Sequence, residues 1–278
     1  MARDSAFIQA IIRMSPVSAH CAMAGTRPSE LYVTDASCSA EATMTTPSNG
    51  AGVFDDWSGA MPSTVPSCPV ALETVSLETI DGVRLEADVI WADAVAPRAF
   101  VVVGHPHPLY GGDRHNHVVR AIQWAAHRTG CHSIAPDFRG AGASFGDHDN
   151  GNSERLDLAA ACEFIDLVED AVPVIMAGYS FGSVVGLNVS NPSIAGWLAV
   201  APPVTMMSTR PTAASHHAPK RILLPRHDQF SSADAMLSLV SDWTNTSVTM
   251  LESVDHFIAA GAEEACSSAL DALLADVL

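Results

Sequence analysis

The sequence predicts an α/β domain: a mostly parallel sheet with helices on both faces, entered by an antiparallel hairpin and carrying no substantial cap. Three observations predict it. From about residue 70, short apolar runs of strand length alternate with amphipathic stretches of helix length, the pattern of a parallel sheet covered on both sides. The first two runs are joined by Asp81-Gly82, a turn pair that favours an antiparallel hairpin. Later runs, Phe100–Val103 the clearest, are apolar at every position rather than every second one, as strands buried on both faces are.

The elements follow in order. Val70–Leu77 and Val83–Trp91 form the hairpin, and Phe100–Val103 is the first interior strand, ended by Gly104. Residues 116–129 carry apolar side chains at 118, 119, 122, 125 and 126 and stop at Gly130, which reads as an amphipathic helix with its C-terminal breaker. Cys131–Ala135 is a strand, and residues 153–168 form a helix with Leu156, Ala160, Phe164 and Leu167 on one face. Val172–Ala177 is a strand and residues 182–190 a helix. Gly196–Val200, Ile222–Leu224 and Val248–Leu251 continue the sheet, with helices over 231–242 and 257–276. About twenty residues separate Val200 from Ile222, too few for a lid domain.

Residues 1–69 differ from the rest. They are rich in Ser, Thr, Ala, Pro and Gly, show no sustained period, and are expected to form a flexible extension to the folded domain at 70–278. The short apolar stretch Ala6–Ile12 is cut by Arg13 and makes a poor export signal. No apolar run approaches the ~20 residues needed to span a bilayer, so a cytoplasmic location without membrane attachment is expected.

Composition narrows the partners. The chain has 278 residues, 48% of them hydrophobic, enough for a sizeable core. Asp and Glu number 31 against 14 Lys and Arg, a formal charge of −17. Phosphate binding depends on clustered Lys and Arg, so nucleic acid and anionic membranes are disfavoured and a small-molecule partner is favoured. The same charge disfavours anionic acyl groups. The six cysteines lie outside C-x-x-C spacing and read as free thiols.

In an open parallel sheet, sites form beyond the carboxyl ends of the strands. After Ala177 comes Gly178-Tyr179-Ser180-Phe181-Gly182, a G-x-S-x-G between a strand and a helix. A sharp strand-to-helix turn lifts the Ser hydroxyl out of the sheet, and flanking glycines leave room for the strained backbone. A second match, Gly142 to Gly146 around Ser144, lies in a loop and is read as structural. A nucleophilic Ser needs a base, and the base an orienting acid. His256 follows the last strand and Asp228 the one before it, giving the chain order Ser180, Asp228, His256. The loop after Val200 offers no carboxylate, and Asp255 is adjacent to the histidine it would have to orient.

The oxyanion of acyl transfer needs two N–H donors. Phe181 supplies one. The loop after Gly104 reads His105-Pro106-His107-Pro108; prolines cannot donate, which leaves His107. Tyr179, Leu109, Tyr110, Pro202, Val204 and Met206 are expected to contact substrate. His105, His107, Asp113, His115 and His117 form a cluster without metal-ligand spacing, and no metal or other cofactor is expected. Asp137 and Arg139 are read as hydrogen bonders in a tight loop.

The segments His105–Gly112, Asp137–Gly146, Gly178–Gly182 and Asp255–Phe257 together resemble the α/β-hydrolase superfamily, and within it the small lidless bacterial serine hydrolases related to predicted esterases, dienelactone hydrolases and serine aminopeptidases. The resemblance covers 70–278. It implies a serine hydrolase with Ser180, Asp228 and His256 as its triad, acting on small or exposed esters. An acyltransferase, peptidase or C–C hydrolase on the same residues is an alternative, as is a non-catalytic binding protein of the same fold. The family's loop commonly opens with Gly before the acid, where this chain has Pro225-Arg226-His227.

Overall fold

The computed structural model describes residues 71–278 apart from 95, 170 and 208; the expected extension over 1–69 lies outside the described residues. Strands β1 (Leu72–Glu78), β2 (Arg84–Ile90), β3 (Phe100–Gly104), β4 (His132–Pro136), β5 (Val174–Tyr179), β6 (Ile194–Val200), β7 (Lys220–His227) and β8 (Thr246–Asp255) form one sheet. Its order is β1-β2-β4-β3-β5-β6-β7-β8. β2 pairs antiparallel with β1 and β4, and every pairing from β4 onward is parallel. Among the described residues five helices accompany the strands: α1 (His117–Arg128), α2 (Glu154–Val168), α3 (Phe181–Gly186), α4 (Ala233–Val240) and α5 (Ala262–Val277).

The apolar interior strands pack on two sides, as their composition requires. Val101 and Val103 of β3 join Ile175, Ala177, Leu198 and Leu223 in a core under α1 and α5. Their neighbours Phe100 and Val102 face the other way and join Ile134, Met176, Ala199 and Leu224 under α2 and α4. The hairpin turn is a three-residue loop: the Thr79 N–H donates to the Val83 carbonyl, the Val83 N–H donates to Thr79 Oγ1, and Gly82 takes a φ of 79°. Asn116 caps α1 through its side-chain oxygen, which accepts from the Val118 N–H at 2.9 Å.

Several boundaries differ from expectation. α3 stops at Gly186 rather than 190, where Asn188 and Val189 turn back onto Val185 and Gly186. β7 and β8 run several residues further, because parallel pairing continues through His227↔Asp255 and carries both strand ends to the site. α5 begins at Ala262 rather than 257, after Gly261 with φ 76°. Between β6 and β7 the described residues form only two short 3-10 turns, Val204–Met206 and Thr212–Ser215, and no lid domain is inserted there. The described cysteines, Cys131, Cys162 and Cys266, are buried free thiols.

Candidate active site

The turn from β5 into α3 is made possible by missing side chains. Ser180 sits at φ 53°, ψ −121°, a strained backbone for a residue with a Cβ. Its N–H is held by the Val200 carbonyl at 2.9 Å. A Cβ on Gly182 would lie 2.3 Å from the Gly104 carbonyl, and one on Gly178 would lie 2.5 Å from that of Gly182. The glycines of the motif, together with Gly104 at the end of β3, therefore allow the backbone contact that lifts Ser180 above the sheet.

Two other strand ends meet it there. His256 Nε2 lies 2.9 Å from Ser180 Oγ, and His256 Nδ1 lies 2.7 Å from Asp228 Oδ2. The Asp228 side chain is fully buried, and its second oxygen accepts from the backbone N–H groups of Phe230 and Ser231. Asp255 turns away: its oxygens take the Phe257 N–H and the Gln229 amide. The Pro225-Arg226-His227 segment in place of a glycine turn simply extends β7 by three residues and delivers Asp228 at its end.

His256 is held by two groups that sequence reasoning did not assign to it. Gln229 Oε1 accepts its backbone N–H at 3.2 Å, and the Tyr179 hydroxyl donates to its carbonyl at 3.0 Å. Tyr179 is buried beneath the histidine, with burial pushing its phenol up to about 12. Its expected place among substrate contacts is therefore corrected: strand alternation puts it on the face of Ile175 and Ala177, toward the core under α1 and α5. Pro202 is likewise buried rather than lining a pocket, with its carbonyl accepting from Ser231 Oγ. The side chain of Val204 lies outside the described residues.

The loop after β3 is stiffened around His105, which is fully buried. Its Nε2 accepts the Phe138 N–H at 2.8 Å, and its Nδ1 donates to the Pro106 carbonyl at 2.6 Å. One bond accepted and one donated require a neutral ring, and burial lowers its pKa to about 4. His107 follows. Its carbonyl accepts from Tyr110 and Gly112, while neither its own N–H nor that of Phe181 has an acceptor among the described residues. The His107 ring packs on those of Phe181, His148 and Tyr110, with centroids 4.6–4.9 Å apart. Burial lowers its pKa, helped by His148. His148 in turn lies 2.6 Å from the buried Glu154 carboxylate.

The remaining histidines of the 105–117 segment diverge: His117 meets the Phe257 carbonyl, and His115 meets Arg120 beside Asp88. Among the described residues no group of three His, Cys, Asp or Glu side chains gathers in a metal-holding arrangement. Asp137 and Arg139 are bound more widely than a local loop. Arg114 joins Asp137, Glu86 and Asp88, and Arg139 clamps Asp157 and Asp81. Ser144 is occupied structurally, donating to the Asp137 carbonyl and accepting from the Glu86 N–H. The rim of the site is apolar and open. Leu109, Tyr110, Phe230 and Phe257 are all more than half exposed, and the Phe230 ring stands 4.6 Å from that of His256.

With Ser, His and Asp brought together from three strand ends, the comparisons fall into place. Residues 104–276 match the model of the alpha/beta hydrolase family. An uncharacterised protein of Rickettsia prowazekii is 30% identical over 196 residues, covering 66% of this chain and 82% of that protein. The chain belongs to the alpha/beta hydrolase family. Solved structures agree on the fold. An α/β serine hydrolase homologue from Coxiella burnetii aligns at a TM-score of 0.65 and 23% identity, over 74% of this chain and 97% of that one. A lidless α/β serine hydrolase from Xanthomonas campestris aligns at 0.64 and 22%, over 74% and 95%. An esterase from Pyrococcus furiosus aligns at 0.63 and 19%, over 75% and 94%. Among the described residues no helix is long and apolar enough to cross a membrane.

Proposed function

We propose that this protein hydrolyses carboxylic esters through an acyl-enzyme on Ser180. The observation that carries the reading is the chain of short contacts from Ser180 Oγ through His256 to the buried Asp228, built on a strained turn. Strain of this kind persists only where surrounding structure enforces it, and here it exposes one hydroxyl to one base.

In the first step Ser180 Oγ attacks the ester carbonyl carbon and its proton passes to His256 Nε2. Asp228 holds the ring by Nδ1 and stabilises the imidazolium. The unpaired N–H groups of Phe181 and His107 receive the oxyanion, and donors that keep no acceptor in the free enzyme need no rearrangement to do so. The C–O bond then breaks and His256 returns its proton to the leaving alcohol. In the second step His256 takes a proton from water, the hydroxide attacks the acyl carbon, and the carboxylic acid leaves as Ser180 regains its proton. The mechanism draws on no cofactor. Leu109, Tyr110, Phe230 and Phe257 give an apolar rim, and the lidless edge suits small or exposed esters.

A panel of p-nitrophenyl esters tests the reading. Ser180→Ala and His256→Ala are each expected to lower kcat by at least about a thousand-fold, the size of triad losses elsewhere. Turnover that survives Ser180→Ala would contradict it.

A further inference from the structure

A cleft of about 280 Å³ opens beside α3 against Phe181, and it has no part in the mechanism above. One wall is apolar: Phe181, Val185 and Met206. Polar side chains line much of the rest, among them the exposed Asn152 and Arg155 from the start of α2 and the half-buried Asn188 after α3. The two walls come together because Glu154 pins the loop before α2 by accepting the Asp149 and Gly151 N–H groups. A Cβ at Gly151 would stand 3.6 Å from the Phe181 ring. Phe181 is thus shared between the reacting serine's turn and this cleft.

The hydrogen-bonding capacity left open in the cleft is specific. Arg155 uses only Nε, on the Asn152 carbonyl. Of the ten described arginines, eight have a carboxylate within ion-pair distance, and Arg155 and Arg84 alone do not. Its two Nη groups therefore remain as donors, in a chain with a large excess of acid. Asn188 and Asn152 each give one Nδ2 hydrogen to the Val184 and Asp149 carbonyls, which leaves each a second N–H and an Oδ1 acceptor. A carboxylate or phosphate would satisfy the guanidinium but would leave both amide oxygens unused and would meet the field of a −17 chain. A purely apolar group would displace water from these groups and offer them no partner in exchange. A hydroxyl both donates and accepts, as this mixed lining requires, and the C–H groups of a sugar or polyol need only the small apolar surface that the largely buried Phe181 and Val185 leave open beside Met206.

We propose that the substrate is an ester bearing a neutral polyhydroxylated group, a sugar or polyol, which this cleft binds while the ester reacts at Ser180. The inference rests on the hydrolase reading and deepens it.

Two matched ester pairs test it on the full chain. On the alcohol side, a methyl glucoside acetylated on its primary hydroxyl is compared with cyclohexylmethyl acetate. On the acyl side, methyl gluconate is compared with methyl hexanoate. The hydroxylated member of at least one pair is expected to have the higher kcat/KM, by roughly ten-fold or more, the effect of one hydrogen bond to a charged donor. That ratio is expected to fall to about one in Arg155→Met and in Asn188→Leu, with circular dichroism confirming the fold of each. A ratio at or below one in both pairs overturns the proposal, as does a preference that survives both substitutions. Fluorophosphonate labelling of the wild-type protein separates the two failures. Labelling at Ser180 without a hydroxyl preference sinks only the sugar assignment, whereas no labelling sinks the hydrolase reading beneath it.

Discussion

Replacing His105 by Ala tests how the loop that presents His107 is held. The ring is fully buried, accepts the Phe138 N–H and donates to the Pro106 carbonyl. Truncation leaves a buried N–H with no acceptor, at ~1–3 kcal/mol, and a ring-sized void that brings the total to roughly 3–5 kcal/mol. For a domain of this size that is a fall in Tm on the order of 10 °C. The pH dependence is more diagnostic. The folded ring has a pKa of about 4, below the usual 6.5, so the folded state takes up its proton later than the unfolded one. The stability His105 contributes is therefore complete above pH 6.5 and is lost as pH falls toward 4, by ~3 kcal/mol. Urea unfolding of both proteins from pH 7.5 to 4 reads this directly. The gap between wild type and His105→Ala should be largest near neutrality and shrink by ~3 kcal/mol at pH 4. A gap that does not change with pH would refute a neutral, doubly bonded His105. A gap under ~1 kcal/mol at pH 7 would refute its role as the acceptor for Phe138.

Four further outcomes are expected. Tyr179→Phe removes the bond to the His256 carbonyl, and should cost ~1 kcal/mol in chemical denaturation and lower kcat several-fold with little change in KM. Gly182→Ala forces a methyl to 2.3 Å from the Gly104 backbone, which no rotamer relieves; it should cost at least ~3 kcal/mol and abolish fluorophosphonate labelling. Ser144→Ala strips an acceptor from the Glu86 N–H; it should cost ~1–2 kcal/mol while leaving the labelling of Ser180 intact. Lys220, the one lysine of the chain, is buried with its ammonium on the His216 and Ala218 carbonyls, and burial lowers its pKa from 10.5 to about 8. The penalty for its buried charge is present below pH 8 and relieved as pH rises to 10.5, so this group makes stability climb over that window. Lys220→Met should flatten the climb in Tm against pH.

Much of the fold was legible because it rests on local pattern. The unbroken apolar run at β3 and the Asn116 and Gly130 signals around α1 are short-range features, and each appears where the residues place it. The strand ends of β7 and β8 were not legible, since their last residues are held by pairing with each other rather than by apolar pattern: the β8 tail is half-exposed and polar. At the site, Ser180, Asp228 and His256 could be read from their places after strands. The direction of Tyr179 was available in the alternation Ile175, Ala177, Tyr179, but its position inside G-x-S-x-G suggested a pocket instead. Gln229, Phe230 and His148 gave no signal, because their roles depend on contacts between loops distant in sequence. The buried ion network around Arg114 arises for the same reason: Glu86 and Asp88 come from β2 and Asp137 from the end of β4, and they converge only in the sheet.

The most direct measurement is fluorophosphonate labelling of the full chain, with the adduct located by peptide mass spectrometry in the wild type and in His256→Ala. The account predicts one adduct, on Ser180, lost when His256 is removed. An adduct on Ser144, labelling that persists without His256, or a folded wild-type protein that takes no label would contradict it.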